Sequence, residues 1–146
     1  MSYKFVPFEA WHMKAFAMVD SVDGFNVTDI MQEQECAALE RFTSWSLIDE
    51  DNDVVACGGL VPQWKGRYTA WMYITRKASK CMLRITRLVK AVLDDAEGRV
   101  EMTVRKDFSE GHRWAKLLGF EVENPPGILK QYGPFGEDHI SYVRIN

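Results

Sequence analysis

The residues best suited to chemistry lie in a basic segment near the middle of the sequence. From Arg67 to Lys90 the chain carries several lysines and arginines and no acidic residue. A local excess of positive charge attracts phosphate groups, so this segment could bind a phosphorylated ligand. The alternative is that these side chains form the solvated face of a helix, as runs of like charge commonly do. Both interpretations stay open at this point.

The cysteines, histidines and acidic residues form no recognisable metal motif. The three cysteines, Cys36, Cys57 and Cys81, are widely spaced without a Cys-x-x-Cys pair, and reduced thiols are the simplest interpretation. The three histidines have no metal-ligand spacing. The run Asp49 to Asp53 lacks the glycine and the glutamate that a calcium-binding loop requires at fixed positions, so it indicates a hairpin tip. We predict no metal site.

Length and composition indicate one globular domain, residues 1–146. The hydrophobic fraction of 47% and the charged fraction of 27% are ordinary for a protein that buries a core without a disulfide or a metal. The formal net charge of -3 argues against a general nucleic-acid binder. Because no apolar run approaches the ~20 residues of a membrane helix and the N-terminus lacks a signal-peptide core, we expect a cytoplasmic protein without a membrane partner.

Periodicity predicts the order β-α-α-β-β-β-α-β-α-β-β. Strand–helix–strand units adjoin antiparallel hairpins, so the sheet is predicted to be mixed, in an α+β or mixed α/β domain. The predicted strands are Tyr3–Pro7, Ser44–Ile48, Val54–Val61, Tyr68–Thr75, Val100–Val104, Phe120–Val122 and Ile140–Ile145. The predicted helices are Glu9–Val19, Thr28–Phe42, Cys81–Leu93 and Phe108–Leu118.

Two local patterns in this order resemble the GNAT superfamily of acyl-CoA N-acyltransferases. The first is a hairpin ending in Gly58-Gly59, followed by a strand, a basic loop and a long helix. The second is the helix-to-strand passage Ala115–Glu121, which contains Leu-Gly-Phe. The topology resembles the family across nearly the whole chain. The resemblance implies an α/β (α+β) GNAT-like fold with a mixed central sheet flanked by helices on both faces.

The resemblance also implies acetyl-CoA as the acyl donor. The family loop reads Gln/Arg-x-x-Gly-x-Gly/Ala, and its glycines let main-chain N–H groups approach the CoA diphosphate. Here Arg76 matches, whereas Ser79 and Cys81 replace the two small residues. Lys77 and Lys80 could compensate electrostatically. The implied cofactor-binding residues are Tyr73, Ile74, Arg76, Lys77, Ala78, Ser79, Lys80 and Cys81.

The strand before this loop carries an aromatic pair. Trp71 and Tyr73 share one face by the two-residue period of a strand, and Met72 and Ile74 share the other. The pair could line an acceptor pocket, but a hydrophobic core is the more usual place for such residues.

Acyl transfer to an amine needs a general base for the amine and a general acid for the leaving thiolate. In the family, the general acid is often a tyrosine at the position of Ala115, and an asparagine stands at the position of Phe108. This sequence departs from the pattern at both positions. Substitute catalytic candidates are Glu101 and His112 as bases, with Tyr132 as the acid; Glu50 is a further base candidate. The alternative for the bases is a solvated surface position.

Length, a glycine-poor basic loop and a C-terminal hairpin spanning Tyr132 to Ile145 are also similar to GNAT-like internal virion proteins, or acetyltransferase-like proteins, of tailed bacteriophages. Two functions are therefore predicted. One is an N-acyltransferase that moves an acetyl or acyl group from CoA to an amine. The other is a catalytically degenerate phage protein that acts in virion assembly or binds a host protein, in the host bacterial cytoplasm. Either could be a monomer or a homodimer.

Overall fold

A computed structural model describes residues 2–16 and 33–146 of the chain. A 3₁₀ helix, Arg76–Cys81, leads directly into α3. The remaining elements, in chain order, are β1 Lys4–Pro7, α1 Trp11–Phe16, α2 Glu33–Leu39, β2 Ser44–Ile48, β3 Val54–Trp64, β4 Arg67–Ile74, α3 Met82–Asp95, β5 Arg99–Arg105, α4 Ser109–Leu117, β6 Glu121–Val122, β7 Ile128–Leu129 and β8 His139–Ile145. Of the residues predicted to be helical, 17–19 and 28–32 lie outside the described residues.

The strands form a mixed, mostly antiparallel sheet flanked by helices, which confirms the predicted fold class. Their hydrogen-bonding order is β1-β2-β3-β4-β5-β8-β6, and β7 also pairs with β8. The β4–β5 pairing is parallel and covers Arg67–Thr69 against Arg99–Glu101. Antiparallel pairing joins β1 to β2, β2 to β3, and β8 to β5, β6 and β7.

Two elements differ from the prediction. The segment expected to be a basic loop is the 3₁₀ helix, and β7 was not predicted. Residues Ile128–Leu129 follow Pro125-Pro126-Gly127 and are too few to show a periodic pattern. Pairing of Ile128 with Ile140 and of Leu129 with His139 makes them a strand, so tertiary contact rather than local pattern creates this element.

The chain divides into two compact units, each built from two segments. Residues 1–61 and 70–82 form the first unit, and residues 62–69 and 83–146 form the second. The core of the first unit consists of Phe8, Met13, Cys36, Ile48, Val54 and Cys57. Buried side chains of the second unit include Ile85, Leu93, Val100, Ala115, Leu118, Phe120 and Tyr142. All three cysteines are buried, and none is in a disulfide. The single domain expected from the sequence stays a prediction.

The Gly58-Gly59 pair is required by close approach of neighbouring strands. A Cβ on Gly59 would lie 2.3 Å from the Thr43 carbonyl oxygen, which accepts the Leu60 N–H at 2.8 Å. A Cβ on Gly58 would lie 2.8 Å from the carbonyl oxygen of Trp71. Backbone atoms cannot move aside cheaply, so side chains are excluded from both positions.

None of the helices in the described ranges is both long enough and apolar enough to span a membrane.

His12 closes the N-terminal turn of α1 from inside the first unit. Its side chain is 1% exposed, and its Nδ1 accepts the Glu9 main-chain N–H at 3.0 Å. Ser46 Oγ lies 2.7 Å from the same nitrogen and therefore donates to it. The bond from the Glu9 N–H corresponds to one half of a capping box, with an imidazole in place of the usual carboxylate or amide. Burial lowers the pKa of His12, while Glu9 and Glu40 oppose that shift.

We predict that this cap makes stability depend on pH. Because the folded-state pKa of His12 lies below its ordinary value of about 6.5, the neutral ring stabilises the fold fully above that pH. This contribution is lost as pH falls through the folded-state pKa. In His12→Gln, an amide oxygen can accept the Glu9 N–H without titrating. Urea unfolding at several pH values between about 5 and 7.5 should give a shallower pH dependence for the variant than for the wild type. Identical pH dependence in the two proteins would contradict the assignment.

Candidate functional site

The 3₁₀ helix Arg76–Cys81 has one buried face and one exposed face, because its side chains repeat every three residues. Thr75, Ala78 and Cys81 are 1%, 0% and 3% exposed, and they recur at every third position. A 3₁₀ helix has three residues per turn, so side chains three apart lie on one face. The other face is exposed and polar; its residues are Arg76, Lys77, Ser79 and Lys80.

The start of this helix is anchored to β3. Thr75 donates both its N–H, at 3.0 Å, and its hydroxyl, at 2.9 Å, to the carbonyl oxygen of Val55. The Thr75 side chain makes no cap bond to the helix, and the first intrahelical bond runs from Ala78 N–H to Thr75 O at 3.1 Å. The N–H groups of Arg76 and Lys77 therefore precede the first intrahelical bond. Such groups, at a positive dipole end, can bind an anion.

Glycine is not needed for the backbone of this segment. The non-glycine residues with positive φ in the described part of the chain are Asn52, Asn124 and Gln131, none of which lies in Arg76–Cys81. Ser79 therefore occupies ordinary helical backbone, and the left-handed conformation that serine adopts only at a cost is not required. The Cys81 thiol donates to the Ala78 carbonyl at 3.3 Å and contributes to the buried face.

Within the 3₁₀ helix Arg76–Cys81, Lys77 is the basic residue that contacts carboxylates. Its Nζ lies 2.6 Å from Asp53 Oδ2 and 3.5 Å from Asp49 Oδ2. The hydrogen bond to Asp53, followed by charge attraction to Asp53 and Asp49, raises the pKa of Lys77 despite partial desolvation. Among the described residues, no ion pair involves Arg76 or Lys80.

The aromatic residues before the helix contribute to the core of the first unit. Trp71 meets Phe8 edge to face, with ring centroids 5.2 Å apart, and lies 6.2 Å from Tyr73. Trp71 and Tyr73 both pack against the core residues of this unit. Ile74 ends β4 and is half-buried. The core interpretation of the Trp71–Tyr73 pair therefore agrees with its packing.

Glu101, in the second unit, has two arginine partners. Its carboxylate accepts from Arg67 Nε and Nη2 at 3.0 and 2.8 Å, and Arg99 Nε is also bonded to it. The hydrogen bonds from Arg67 and then Arg99 lower the pKa of Glu101, although desolvation opposes them. Arg99 continues the network to Glu123 at 2.5 Å. A carboxylate held in its charged form in this way is a weak proton acceptor.

His112 has a partner at each ring nitrogen. Nε2 lies 2.9 Å from the Lys106 carbonyl oxygen, which can only accept, so Nε2 carries the proton. Nδ1 then accepts the hydroxyl proton of Tyr142 at 2.7 Å. Tyr142 is 2% exposed, and burial raises its pKa, which keeps the phenol protonated. Tyr142 was not among the candidates predicted from the sequence. Its position in a predicted strand is a signal that could have found it, because a buried phenol requires a hydrogen-bond partner.

Tyr132 is 57% exposed, and its ring lies 5.3 Å from that of His139. His139 itself contacts Thr103 Oγ1 at 2.9 Å and Glu137 Oε1 at 3.3 Å. Glu101, His112 and Tyr132 therefore belong to three different sets of contacts within the second unit. Glu50, the further base candidate, is exposed in the turn between β2 and β3 in the first unit.

Comparison with known proteins identifies the fold. No protein-family model and no curated protein matches the sequence. Three solved structures are similar to this chain, and two of them are N-acetyltransferases by name. The ribosomal-protein-S18-alanine N-acetyltransferase of Escherichia coli is 14% identical with a TM-score of 0.69, over 99% of this chain and 94% of that chain. Ard1 of Thermoplasma volcanium is 12% identical with a TM-score of 0.77, over 99% and 98%. A mutant of the spermidine N-acetyltransferase SpeG of Vibrio cholerae is 12% identical with a TM-score of 0.67, over 98% and 93%.

At these identities the likeness concerns the fold. The GNAT-like acetyltransferase fold expected from the sequence is confirmed.

We predict that Tyr142→Phe lowers the free energy of unfolding by about 1 kcal/mol, because it leaves Nδ1 of His112 without its donor while preserving the ring. Urea unfolding at constant pH measures the change. Tyr68→Phe is the matched control, since the Tyr68 hydroxyl makes no hydrogen bond within the part of the chain that the structure describes. Equal stability of Tyr142→Phe and the wild type would show that the Tyr142–His112 bond contributes nothing.

Proposed function

We propose that this protein is a CoA-dependent N-acyltransferase, which moves an acetyl or acyl group from the CoA thioester to an amine. The observation that carries the proposal is the exposed polar face of the 3₁₀ helix Arg76–Cys81, on a fold similar to that of solved acetyltransferases. The face carries three cationic side chains and no acidic one, and two N–H groups precede its first intrahelical bond. This chemistry fits a diphosphate.

CoA binding would use the residues of this face in two ways. The N–H groups of Arg76 and Lys77 would donate to phosphate oxygens at the positive end of the helix dipole. The side chains of Arg76, Ser79 and Lys80 point to solvent and would add charge and hydrogen bonds. Ala78 and Cys81 would act from the buried face, by holding the helix in place. Tyr73 and Ile74, at the end of β4, would contact the remainder of CoA.

The reaction exchanges a C–S bond for a C–N bond and moves one proton from nitrogen to sulfur. The neutral amine nitrogen attacks the thioester carbonyl carbon, the C–S bond breaks, the amine loses a proton and the CoA thiolate gains one. The bonded states of Glu101 and His112 favour a mechanism in which positioning of the two substrates supplies most of the acceleration. In this mechanism Glu101 or His112 could act as the base only after giving up one of its present hydrogen bonds. Exposed Tyr132 is the proposed proton donor.

The acceptor is proposed to be a primary amine. The names of two similar structures specify an alanine of ribosomal protein S18 and spermidine as acceptors of those enzymes. Both acceptors carry an amine. A peptide with an N-terminal alanine and a polyamine are therefore the first acceptors to test.

A second candidate function is a non-catalytic protein on the same fold, acting in phage virion assembly or by binding a host protein. The observation that favours it is the commitment of two of the three candidate bases, Glu101 and His112, to structural partners, together with buried Ala115 at the position of the family's tyrosine. Function resides in sites and not in folds, so the fold is compatible with both candidates.

Calorimetric titration with CoA tests the first candidate directly. We expect saturable binding, and a CoA concentration a hundred times the dissociation constant should stabilise the chain by ~2.7 kcal/mol in a thermal-shift experiment. Lys80→Gln should weaken CoA binding about fivefold, as expected for loss of roughly 1 kcal/mol of charge-assisted contact. Lys65→Gln removes an exposed lysine outside the 3₁₀ helix and should bind like the wild type.

Release of free thiol from acetyl-CoA, measured with each amine, tests catalysis. Acceptor-dependent thiol release supports the enzyme. Absence of CoA binding at millimolar concentration, combined with a stoichiometric protein partner that is captured equally with and without CoA, would favour the second candidate.

A further inference from the structure

We propose that Lys77 is a positioning residue, which clamps the 3₁₀ helix Arg76–Cys81 to the acidic turn Asp49–Asp53 and so orients the face that binds CoA. This inference deepens the proposed function and rests on it. Every contact that carries it lies within the first unit. It assigns Lys77 a role different from that of Arg76 and Lys80, although all three are exposed cations in the same helix.

The acidic turn is built as a fixed receptor for the lysine. Asp49 Oδ1 accepts the N–H groups of Asp51 and Asp53 at 2.9 and 3.0 Å. The Asp49 N–H donates to Asp53 O at 3.0 Å, and Asn52 takes a positive φ of 63° between them. These bonds fix the Asp49 carboxylate and the main chain of Asp53 without any contribution from Lys77, so the lysine meets a turn that is already formed.

The ammonium group of Lys77 reaches both carboxylates. Its Nζ lies 2.6 Å from Asp53 Oδ2 and 3.5 Å from Asp49 Oδ2. Asp49 is 10% exposed, whereas Asp53 and Lys77 are about half exposed. One partner is therefore well shielded from solvent, which makes the contact more persistent than an ordinary surface ion pair.

Two anchors of different kinds fix the start of the helix. The Thr75 bonds to Val55 hold its position, and the Lys77 contact, two residues later, holds its rotation. With both in place, Ala78 and Cys81 face the interior, while Arg76, Ser79 and Lys80 face solvent. A ligand then meets side chains and N–H groups that need little further ordering, and this preorganisation favours binding.

The rival role for Lys77 is a direct phosphate ligand, and the two roles predict opposite signs for one substitution. If Lys77 binds phosphate, Asp53→Asn releases the ammonium from a competing carboxylate and CoA binds more tightly. If Lys77 is a clamp, Asp53→Asn loosens the helix and CoA binds more weakly. Asp51→Asn is a matched control, because it removes the same charge from the same turn without breaking a contact to Lys77.

The experiment measures the CoA dissociation constant of the full chain by calorimetry for five variants: Lys77→Met, Asp53→Asn, the double variant, Asp51→Asn and Lys77→Arg. We expect Lys77→Met and Asp53→Asn each to weaken binding about two- to fivefold, the range that a partly exposed ion pair supports. The double variant should bind no more weakly than the weaker single variant. Lys77→Arg should restore near-wild-type binding, and Asp51→Asn should be neutral or slightly tighter.

Tighter binding by Asp53→Asn, or losses that add in the double variant, would overturn the clamp. Hydrogen exchange separates this result from failure of the proposed function. In the unliganded chain, amides of the 3₁₀ helix should exchange faster in Lys77→Met and Asp53→Asn than in Asp51→Asn. If the wild type does not bind CoA, faster exchange still supports the clamp, and unchanged exchange rejects it.

Discussion

The first unit depends on one carbonyl oxygen, that of Val55. The register between β2 and β3 shifts at this point, since Leu47 faces Ala56 and Ile48 faces Val54, which leaves Val55 without a direct partner on β2. Bulges of this kind redirect a strand's polar groups. Val55 O accepts both the N–H and the hydroxyl of Thr75, so this one oxygen anchors the residue that follows β4 and precedes the 3₁₀ helix. The period of that helix then places the cationic residues on its exposed face.

The candidate catalytic residues are likewise hydrogen-bonded to other parts of the fold. Within the described ranges, no buried side-chain nitrogen or oxygen lacks a hydrogen-bond partner. Glu101 accepts hydrogen bonds from two arginines on neighbouring strands. His112 links α4 to β8 through its bond with Tyr142. Titratable residues at such positions stabilise the fold, and they shift the proposed chemistry towards binding and orientation of substrates.

The periodicity of apolar residues predicted those elements whose position depends on which face they bury. The β2–β3 hairpin, α3 and β5 lie where periodicity put them, because the alternation of apolar residues reflects which face each element buries. The 3₁₀ helix was not predicted, because buried Thr75, Ala78 and Cys81 recur at every third position, a period that belongs neither to a strand nor to an α-helix. β7 could not be predicted, since two residues form a strand only when β8 pairs with them.

The sequence by itself determined the fold class, the order of most elements and the positive charge of the segment before α3, since each follows from composition or from spacing along a few turns. Tertiary structure alone decided which polar and charged side chains have partners. Lys77 meets Asp53 across 24 residues, Tyr142 meets His112 across 30, and Arg67 meets Glu101 across 34. Contacts at these separations depend on where the chain returns to itself, and no short window of sequence records that geometry.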